Sequence, residues 1–584
     1  MTPSAMPDAS SSSESARPRI LVPEKVSPDG LALLTPHFDV DVRLGLGADE
    51  LERAIGAYHG LIVRSETKVT PAVLRAGRKL RVVARAGVGV DNIDVPAATN
   101  AGIIVVNSPS GNILAAAEHT VALLLATARN VGRADGGVKA GRWDRGALVG
   151  VEVGRKTLGI VGLGKVGLNV ARMAKGLGML VRAVDPYASA DMARQAGVEL
   201  VASLDDLLPA VDFLTIHTPL LATTMDLVGE PQLRAMRPTA RVLNVARGGV
   251  YNEAALLRAL DEGWIAGAGL DVFTSEPPGD GDSTAARLAR HPKVVATPHL
   301  GASTVEAQEN VSMDVCKQML EILRGGLPTS AVNAPIILPE EYAKLQPSVR
   351  LVEKMGRLYT QHYVRSKGGM VGGRRFELVY RGELAGMPNT KPLFAALVKG
   401  LVASFSDSNV NIVNAELIAR EKGIVINETQ ARDSPGTYAN LVTLRSVGDG
   451  GGDGSGDNDG GEQQVIEGYA SDKRVYISKL DRFKASFAPE GTLIILHNYD
   501  EPGKIGGVGM VLGSHGINIR FMQVAGLGGD GNDARSSSGS GGSVEGRKDN
   551  EALMILGVDG EVGESVLEGL RAADGVLDVN LVRL

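Results

Sequence analysis

The sequence has very little cysteine: Cys316 is the only one in 584 residues, so neither an intramolecular disulfide nor a cysteine zinc cluster is open to it. Its nine histidines show no paired metal-ligand spacing, and a reducing compartment fits. Charge of one sign is also lacking. The net value of -6 offers no general attraction to nucleic acid or anionic membrane, so an anionic ligand must be held by local positive groups. Apolar runs such as "VALLLATA" fall far short of a bilayer span. The opening "MTPSAMPDASSSSESARP" is Ser-rich, carries Asp8 and Glu14, and has no apolar core. Residues 1–18 therefore read as a disordered tail on a cytoplasmic chain, with a plastid or mitochondrion the alternative if that tail is a transit peptide.

What is present is the composition of a soluble globular protein, 44% hydrophobic and 22% charged, in a chain too long for one core. From "RILVPEKV" onward, short Val/Ile/Leu runs ("GLIVRS", "LRVVARAGVG", "GIIVVNSP") alternate with helix-period segments. Continuous apolar strands separated by helices imply a parallel sheet covered on both faces. "ILAAAEHTVALLLATARNV" (113–131) is a long helix, apolar nearly all round, and is expected between domains. A second alternating series starts at "TLGIVGLGKVG" and runs through "LVRAVDPY", "VDFLTIHTPL", "ARVLNVARGG", "IAGAGLDVF" and "VVATPHLG". After residue 345 the segments become hairpin-like. Two low-complexity stretches, 448–463 and 526–550, read as flexible hairpin loops between strands. The first is acidic but lacks the ligand spacing of a calcium loop, and no metal site is expected.

"GIVGLGKVG" carries Gly162, Gly164 and Gly167 in G-x-G-x-x-G spacing, after a strand and at the start of a helix. The first glycine makes the tight turn, the second lets a pyrophosphate approach the backbone, and the third allows close helix–strand packing. Asp185 ends the next strand, where a carboxylate accepts hydrogen bonds from the adenosine ribose and repels a 2′-phosphate. The cofactor expected is NAD.

Three polar groups stand at strand ends in the second series: Arg247 in "NVARGG", Glu276 in "LDVFTSEPP" and His299 in "TPHLGAST". A guanidinium at such a junction stays charged and needs an anion. Hydride transfer from a 2-hydroxy acid to nicotinamide needs a group with pKa near 7 for the hydroxyl proton, a carboxylate to hold that imidazole, and a fork-shaped cation for the substrate carboxylate. His299, Glu276 and Arg247 suit these tasks in that order.

In order along the chain, "RAGVGVDNID", "AAEHTVALLLATARN", "GLGKVG", "NVARGG", "EAALLRAL", "LDVF", "EPP" and "TPHLGAS" closely resemble the D-isomer-specific 2-hydroxyacid dehydrogenases, over roughly residues 19 to 335. The resemblance implies Arg247, Glu276 and His299 as the catalytic set. It implies cofactor contacts at Val88, Lys165, Val166, Asp185, Thr218, Asp271 and the His299–Ala302 turn, which includes Gly301 and Ala302. It also implies an α/β fold of two Rossmann-like, doubly wound lobes. The substrate lobe is discontinuous, 19–117 plus a return over 300–340, with the NAD lobe at 118–299. In the branch of the family acting on 3-phosphoglycerate, the positions of Arg64, Ser65 and Arg85 lie near the substrate phosphate. One departure is Asn252, where that branch usually has Asp.

"GTLIILHNYDEPGKIGGVGMVLGSHGINIRFMQVAG", resumed by "EALMILGVDG", reads as strand, helix, strand, strand, helix, strand and resembles an ACT-type amino-acid-sensing domain (491–584, βαββαβ). The resemblance places an effector at Asn498, Asp500 and Asn518. Residues 345–486, with "RGELAGMPNTKPL" and "ARDSPGTYANLVTL", resemble the α+β intervening, allosteric substrate-binding domain of the long-form enzymes. These likenesses imply NAD-dependent oxidation of 3-phosphoglycerate in serine biosynthesis, L-serine as feedback effector, and a homotetramer. A glyoxylate or hydroxypyruvate reductase of the same fold is the alternative. An NAD-sensing binding protein without turnover is the rival from another class, and the joint presence of Arg247, Glu276 and His299 argues against it.

Overall fold

The computed structural model describes residues 17–364, 371–406, 409–431, 438–447, 464–471, 474–527 and 550–584. The reading of 448–463 and of most of 526–550 as flexible loops therefore lies outside the described residues, as does nearly all of the expected tail. Among the described residues no helix is long and apolar enough to cross a membrane.

The first sheet is parallel and built from β1 (Arg19–Val22), β2 (Asp39–Val42), β3 (Gly60–Val63), β4 (Val82–Arg85) and β5 (Ile104–Asn107), in the order β2-β1-β3-β4-β5. Its inner strands are buried on both faces, which is why "GLIV" and "VVAR" are runs of apolar residues with no alternation. The helix Val305–Leu323 returns from far along the chain to cover this sheet, packing Val311, Val315 and Met319 into its core. The second sheet, also parallel, holds β6 (Thr157–Val161), β7 (Leu180–Val184), β8 (Glu199–Leu200), β9 (Phe213–Ile216), β10 (Arg241–Asn244), β11 (Gly267–Leu270) and β12 (Val294–Ala296), in the order β12-β11-β10-β9-β6-β7-β8. Both sheets are doubly wound, as the sequence reading expected.

The helix Ile113–Ala128 departs from expectation in two ways. It runs across the expected 117/118 lobe boundary, and it buries one face (Ala117, Leu124, Ala128) against the second sheet while Leu114 stays 56% exposed on another. Its all-round apolar character therefore does not mean all-round burial.

The third sheet comprises β13 (Arg375–Gly382), β14 (Val425–Gln430), β15 (Asn440–Val447), β16 (Val465–Ser471), β17 (Arg474–Leu480) and β18 (Phe483–Phe487), in the order β14-β13-β15-β16-β17-β18. Only the β13–β14 pair is parallel. The fourth sheet, β19 (Thr492–Tyr499), β20 (Asn518–Gly526), β21 (Glu551–Asp559) and β22 (Val576–Arg583), is antiparallel where its strands pair and has the order β20-β21-β19-β22. Two helices, Lys504–Ser514 and Glu564–Arg571, complete a βαββαβ unit. The strands on either side of each low-complexity stretch are paired antiparallel, β15 with β16 and β20 with β21.

The third and fourth sheets share one continuous apolar core, in which Phe376 and Leu378 of the third join Leu493, Ile495 and Leu553 of the fourth. Asn411 donates its side-chain amide to the Gly102 carbonyl at 2.6 Å, joining this half to the turn before β5. Over the third sheet, the helices Pro339–Tyr359 and Lys391–Val402 cross in near backbone contact. A Cβ on Gly400 would strike the Glu353 carbonyl, and one on Gly356 would lie 2.8 Å from the Leu397 carbonyl. Gly400→Val should therefore separate the two helices at a cost of roughly 1–3 kcal/mol. A thermal melt read by circular dichroism should show a midpoint several degrees lower, whereas Gly386→Val, at a position open to solvent, should leave it in place.

Candidate active site

In an open parallel sheet, ligands lie beyond the carboxyl ends of the strands where the winding reverses. The second sheet reverses between β6 and β9, and Gly162 follows the first of these while Thr218 lies just beyond the second. Gly162 has φ +91°, and a Cβ there would lie 2.8 Å from the His217 carbonyl. A Cβ on Gly167 would strike the Gly162 carbonyl, so the helix Lys165–Gly176 touches the strand turn directly. Gly164, by contrast, faces open space and leaves the first amides of that helix without a side-chain cap. The Thr218 hydroxyl beside Gly162 is buried with no hydrogen-bond partner. An uncapped helix start, a cleared backbone surface and an orphaned hydroxyl fit a dinucleotide pyrophosphate. Asp185 accepts the Leu163 amide at 2.7 Å and the Tyr187 amide at 2.8 Å, which fixes the glycine turn and leaves acceptor capacity for ribose hydroxyls. Lys165 and Val166 open the same helix, and Lys165 reaches Ser110 at 3.0 Å, spanning the gap to the first sheet's side. Val88 lies on that side, 37% exposed, with its carbonyl held by Asn107.

The first sheet reverses between β1 and β3. Here the buried Glu24 carboxylate accepts the backbone amides of Arg64, Glu66 and Thr67, at 2.8, 3.2 and 2.9 Å, and so sets the loop that carries Arg64 and Ser65. Arg85 closes β4 one strand away. Its guanidinium lies against Gly87 and that of Arg247 against Gly89: a side chain on either glycine would occupy the guanidinium's place. Burial and the repulsion of Arg247 lower the Arg85 pKa to about 10, and its buried Nε has no hydrogen-bond partner. Arg247 reaches across from the end of β10 to Asp91, Nε to carboxylate 3.1 Å, and donates to the Ala246 carbonyl. The "RAGVGVD" loop is thus a cradle for two cations with one exposed carboxylate between the sides.

His299 follows β12. Its Nδ1 lies 2.7 Å from Glu276 Oε2, while Glu276 Oε1 accepts the Phe273 amide. Burial pushes the Glu276 carboxyl up, but the hydrogen bonds from His299 and Phe273 outweigh it and hold its pKa below the ordinary value. A carboxylate on Nδ1 leaves Nε2 as the ring nitrogen free to exchange a proton. His299 sits at φ +54°, unusual for a residue with a Cβ, in a turn organised by Asp271. The Asp271 side chain is fully buried and accepts from Leu300 N, Gly301 N and Thr297 Oγ1 at 2.7, 2.9 and 2.6 Å, with His119 Nε2 at 3.1 Å. Asp271 thus lies directly beneath the turn that carries Gly301 and Ala302. Asn252 caps the helix Glu253–Asp261 by accepting the Ala255 amide, so the loss of a charge there leaves the cap intact.

The structure thus sets Arg85 and Arg247 against one loop and pairs His299 with Glu276, and each of these residues, like Arg64, lies at or beyond the carboxyl end of a strand. It does not bring the three expected effector residues together. Asn498 is buried, with its Nδ2 donating to the Tyr499 carbonyl and its Oδ1 unpartnered. Asp500 is exposed beyond the same strand end. Asn498 pairs opposite Ala552 and Asn518 opposite Asp559, which puts Asn518 roughly 24 Å away along β21 at strand spacing. Glu24, Asp91 and His119 were missed by the sequence reading. Each is a lone polar residue in an ordinary setting, and the one available signal was a carboxylate directly after an apolar strand, as in "ILVPE".

Known proteins resemble this chain over nearly its whole length. The sequence model of the D-isomer specific 2-hydroxyacid dehydrogenase NAD binding domain matches residues 121–301, which makes the class an NAD-dependent dehydrogenase. That of the D-3-phosphoglycerate dehydrogenase intervening domain matches residues 344–452. The chain is 40% identical over 572 residues to the chloroplastic D-3-phosphoglycerate dehydrogenase 2 of Arabidopsis thaliana, covering 97% of this chain and 87% of that one. It is 38% identical over 570 residues to the D-3-phosphoglycerate dehydrogenase of Synechocystis, covering 97% and 95%, and 38% identical over 568 residues to that of Methanocaldococcus jannaschii, covering 97% and 100%. The chain belongs to the D-3-phosphoglycerate dehydrogenase family.

The Asp271 carboxyl carries a prediction in pH. Burial raises its pKa, but the hydrogen bonds from His119, Thr297 and Leu300 outweigh this and the net value lies below the ordinary 3.8. The stability it contributes is therefore present above pH 3.8 and is lost as pH falls through the lower folded value. Melting midpoints of the parent and of Asp271→Asn should lie well apart at neutral pH and converge in that acid window. A constant gap down to pH 3 would show that the carboxylate contributes nothing through its charge.

Proposed function

We propose that the chain oxidises 3-phosphoglycerate to 3-phosphohydroxypyruvate with NAD, releasing NADH and a proton. The observations that support the reading are the Arg85 and Arg247 guanidinium groups held against one loop, with the charge of Arg64 acting on Arg85, and the His299–Glu276 pair. One substrate carboxylate would use one fork; a phosphate at the other end of a three-carbon acid calls for the rest. In this reading Arg247 grips the carboxylate and exchanges Asp91 for it. Arg85, with an unpartnered Nε, and Arg64, on the loop set by Glu24, take the phosphate together with Ser65. His299 Nε2 removes the C2 hydroxyl proton while Glu276 stabilises the imidazolium that results. NAD, when bound, accepts the hydride from C2. Val88, Lys165, Val166, Asp185, Thr218 and the Gly301–Ala302 backbone hold the cofactor.

The same proposal divides the chain by its sheets: a substrate lobe on the first, an NAD lobe on the second, and intervening and ACT-type regulatory units on the third and fourth. The separation of Asn518 from Asn498 and Asp500 within one chain supports an L-serine site completed by a second copy, and with it a homo-oligomer such as a tetramer.

The test follows NADH oxidation by the purified full chain with 3-phosphohydroxypyruvate, hydroxypyruvate and glyoxylate, each with and without serine. The phosphorylated substrate should have the highest kcat/KM by a wide margin, and Arg85→Gln should narrow that margin more than it lowers turnover of glyoxylate. His299→Asn should abolish turnover and keep NADH binding, since Asn tolerates the left-handed backbone at this position. Equal or better use of glyoxylate by the parent would make the chain a reductase of the unphosphorylated acids.

A further inference from the structure

We propose that His119 is a positioning residue for this reaction: it holds Asp271, and through Asp271 the turn that presents His299. The inference rests on the reading of His299 as the acid/base. His119 belongs to the helix Ile113–Ala128, 180 positions before His299 in the chain, and none of the motifs assigned a role includes it. Its Nε2 lies 3.1 Å from Asp271 Oδ1 and 3.0 Å from Thr297 Oγ1.

A count of protons fixes the direction of these bonds. Asp271 is an acceptor only. The Thr297 hydroxyl gives its single hydrogen to Asp271 Oδ1 at 2.6 Å, so toward His119 it too can only accept. Nε2 must therefore carry the hydrogen and share it between the two oxygens. With it, Oδ1 of a fully buried carboxylate collects donors from Thr297, Leu300 and His119, and Oδ2 takes Gly301. The His299 amide in turn donates to the Asp271 carbonyl, so Asp271 grips the turn by backbone and side chain at once. Without His119, a carboxylate with no access to water loses a donor, and its cheapest remedy is to rotate toward another, which pulls on the Leu300 and Gly301 amides. Between those anchors and Thr297 lie Pro298 and His299, the latter at φ +54° and dependent on the turn for that conformation.

The experiment compares His119→Phe, which fills the space without a donor, with His119→Gln, whose amide N–H has a similar reach. Both are measured in the full-length chain with NADH and 3-phosphohydroxypyruvate beside His299→Asn and the parent. For the phenylalanine variant we expect kcat to fall roughly 10- to 100-fold with the KM for NADH within about twofold, and for the glutamine variant most of kcat to return. Parental kcat in the phenylalanine variant overturns the proposal. So does an equal loss in both variants with a common fall in melting midpoint, which assigns His119 to packing alone. The His299→Asn arm separates the two levels: parental turnover there removes His299 as the acid/base whatever His119 does, while its loss beside a fully active phenylalanine variant leaves the reaction in place and removes only His119.

Discussion

Like charges held close together in a partly dry crevice need a counter-charge, and much of this molecule is arranged around that demand. The Arg85 and Arg247 guanidinium groups lie against one short glycine-containing loop, near enough that repulsion from Arg247 joins burial in lowering the Arg85 pKa. In the chain alone their balance comes from Asp91, itself 73% exposed, and at longer range from Glu24, whose oxygens already serve three backbone amides. In the proposed reading, a ligand with two negative charges would relieve this better than the exposed Asp91. The two glycines, the switch point at Glu24 and the reach of Arg247 from one sheet to the other are all conditions for having that arrangement.

Much of this was legible in the sequence because the requirements were local. A turn that needs φ above zero and a helix that must touch a strand both demand glycine, so Gly162 and Gly167 announce themselves within a few residues. Arg247, Glu276 and His299 each follow an apolar strand, in the segments after β10, β11 and β12 and beside Gly or Pro punctuation, and the ground beyond a strand end marks the place where ligands bind. What stayed hidden were residues whose meaning lies in a distant partner. Glu24 meets Arg64 from 40 positions away and His119 meets Asp271 from 152, and no window along the chain contains both members of either pair. That the Asp271 carboxylate faces inward, onto the Leu300 and Gly301 amides, likewise depends on contacts no short window holds. The effector residues lie apart within one chain for a different reason. Asn498 lies in β19 and Asn518 opens β20, and the antiparallel pairing with β21 sets them at opposite ends of that strand; such direction is a property of the pairing.

The second half of the chain is bound to itself more firmly than to the first. Its two sheets contribute to a single apolar core, whereas its link to the first half includes the small, polar contact of Asn411 with Gly102. A continuous core between two sheets behaves mechanically as one body, and a hydrogen-bonded turn is the weaker joint.

The left-handed backbone at His299 has a consequence for the history of such a chain. At that position a glycine or asparagine would fold with less strain than an imidazole-bearing residue, so the most stable sequence for this backbone is not the working one. A lineage drifting under selection for foldedness alone would shed this histidine early, and the resulting protein would keep its sheets, its glycine turn and its paired arginines. Outward likeness would survive the loss of chemistry. In the proposed reaction, the left-handed backbone at His299 is thus kept by the chemistry the imidazole would supply beside Glu276, since a glycine would adopt that backbone with less strain.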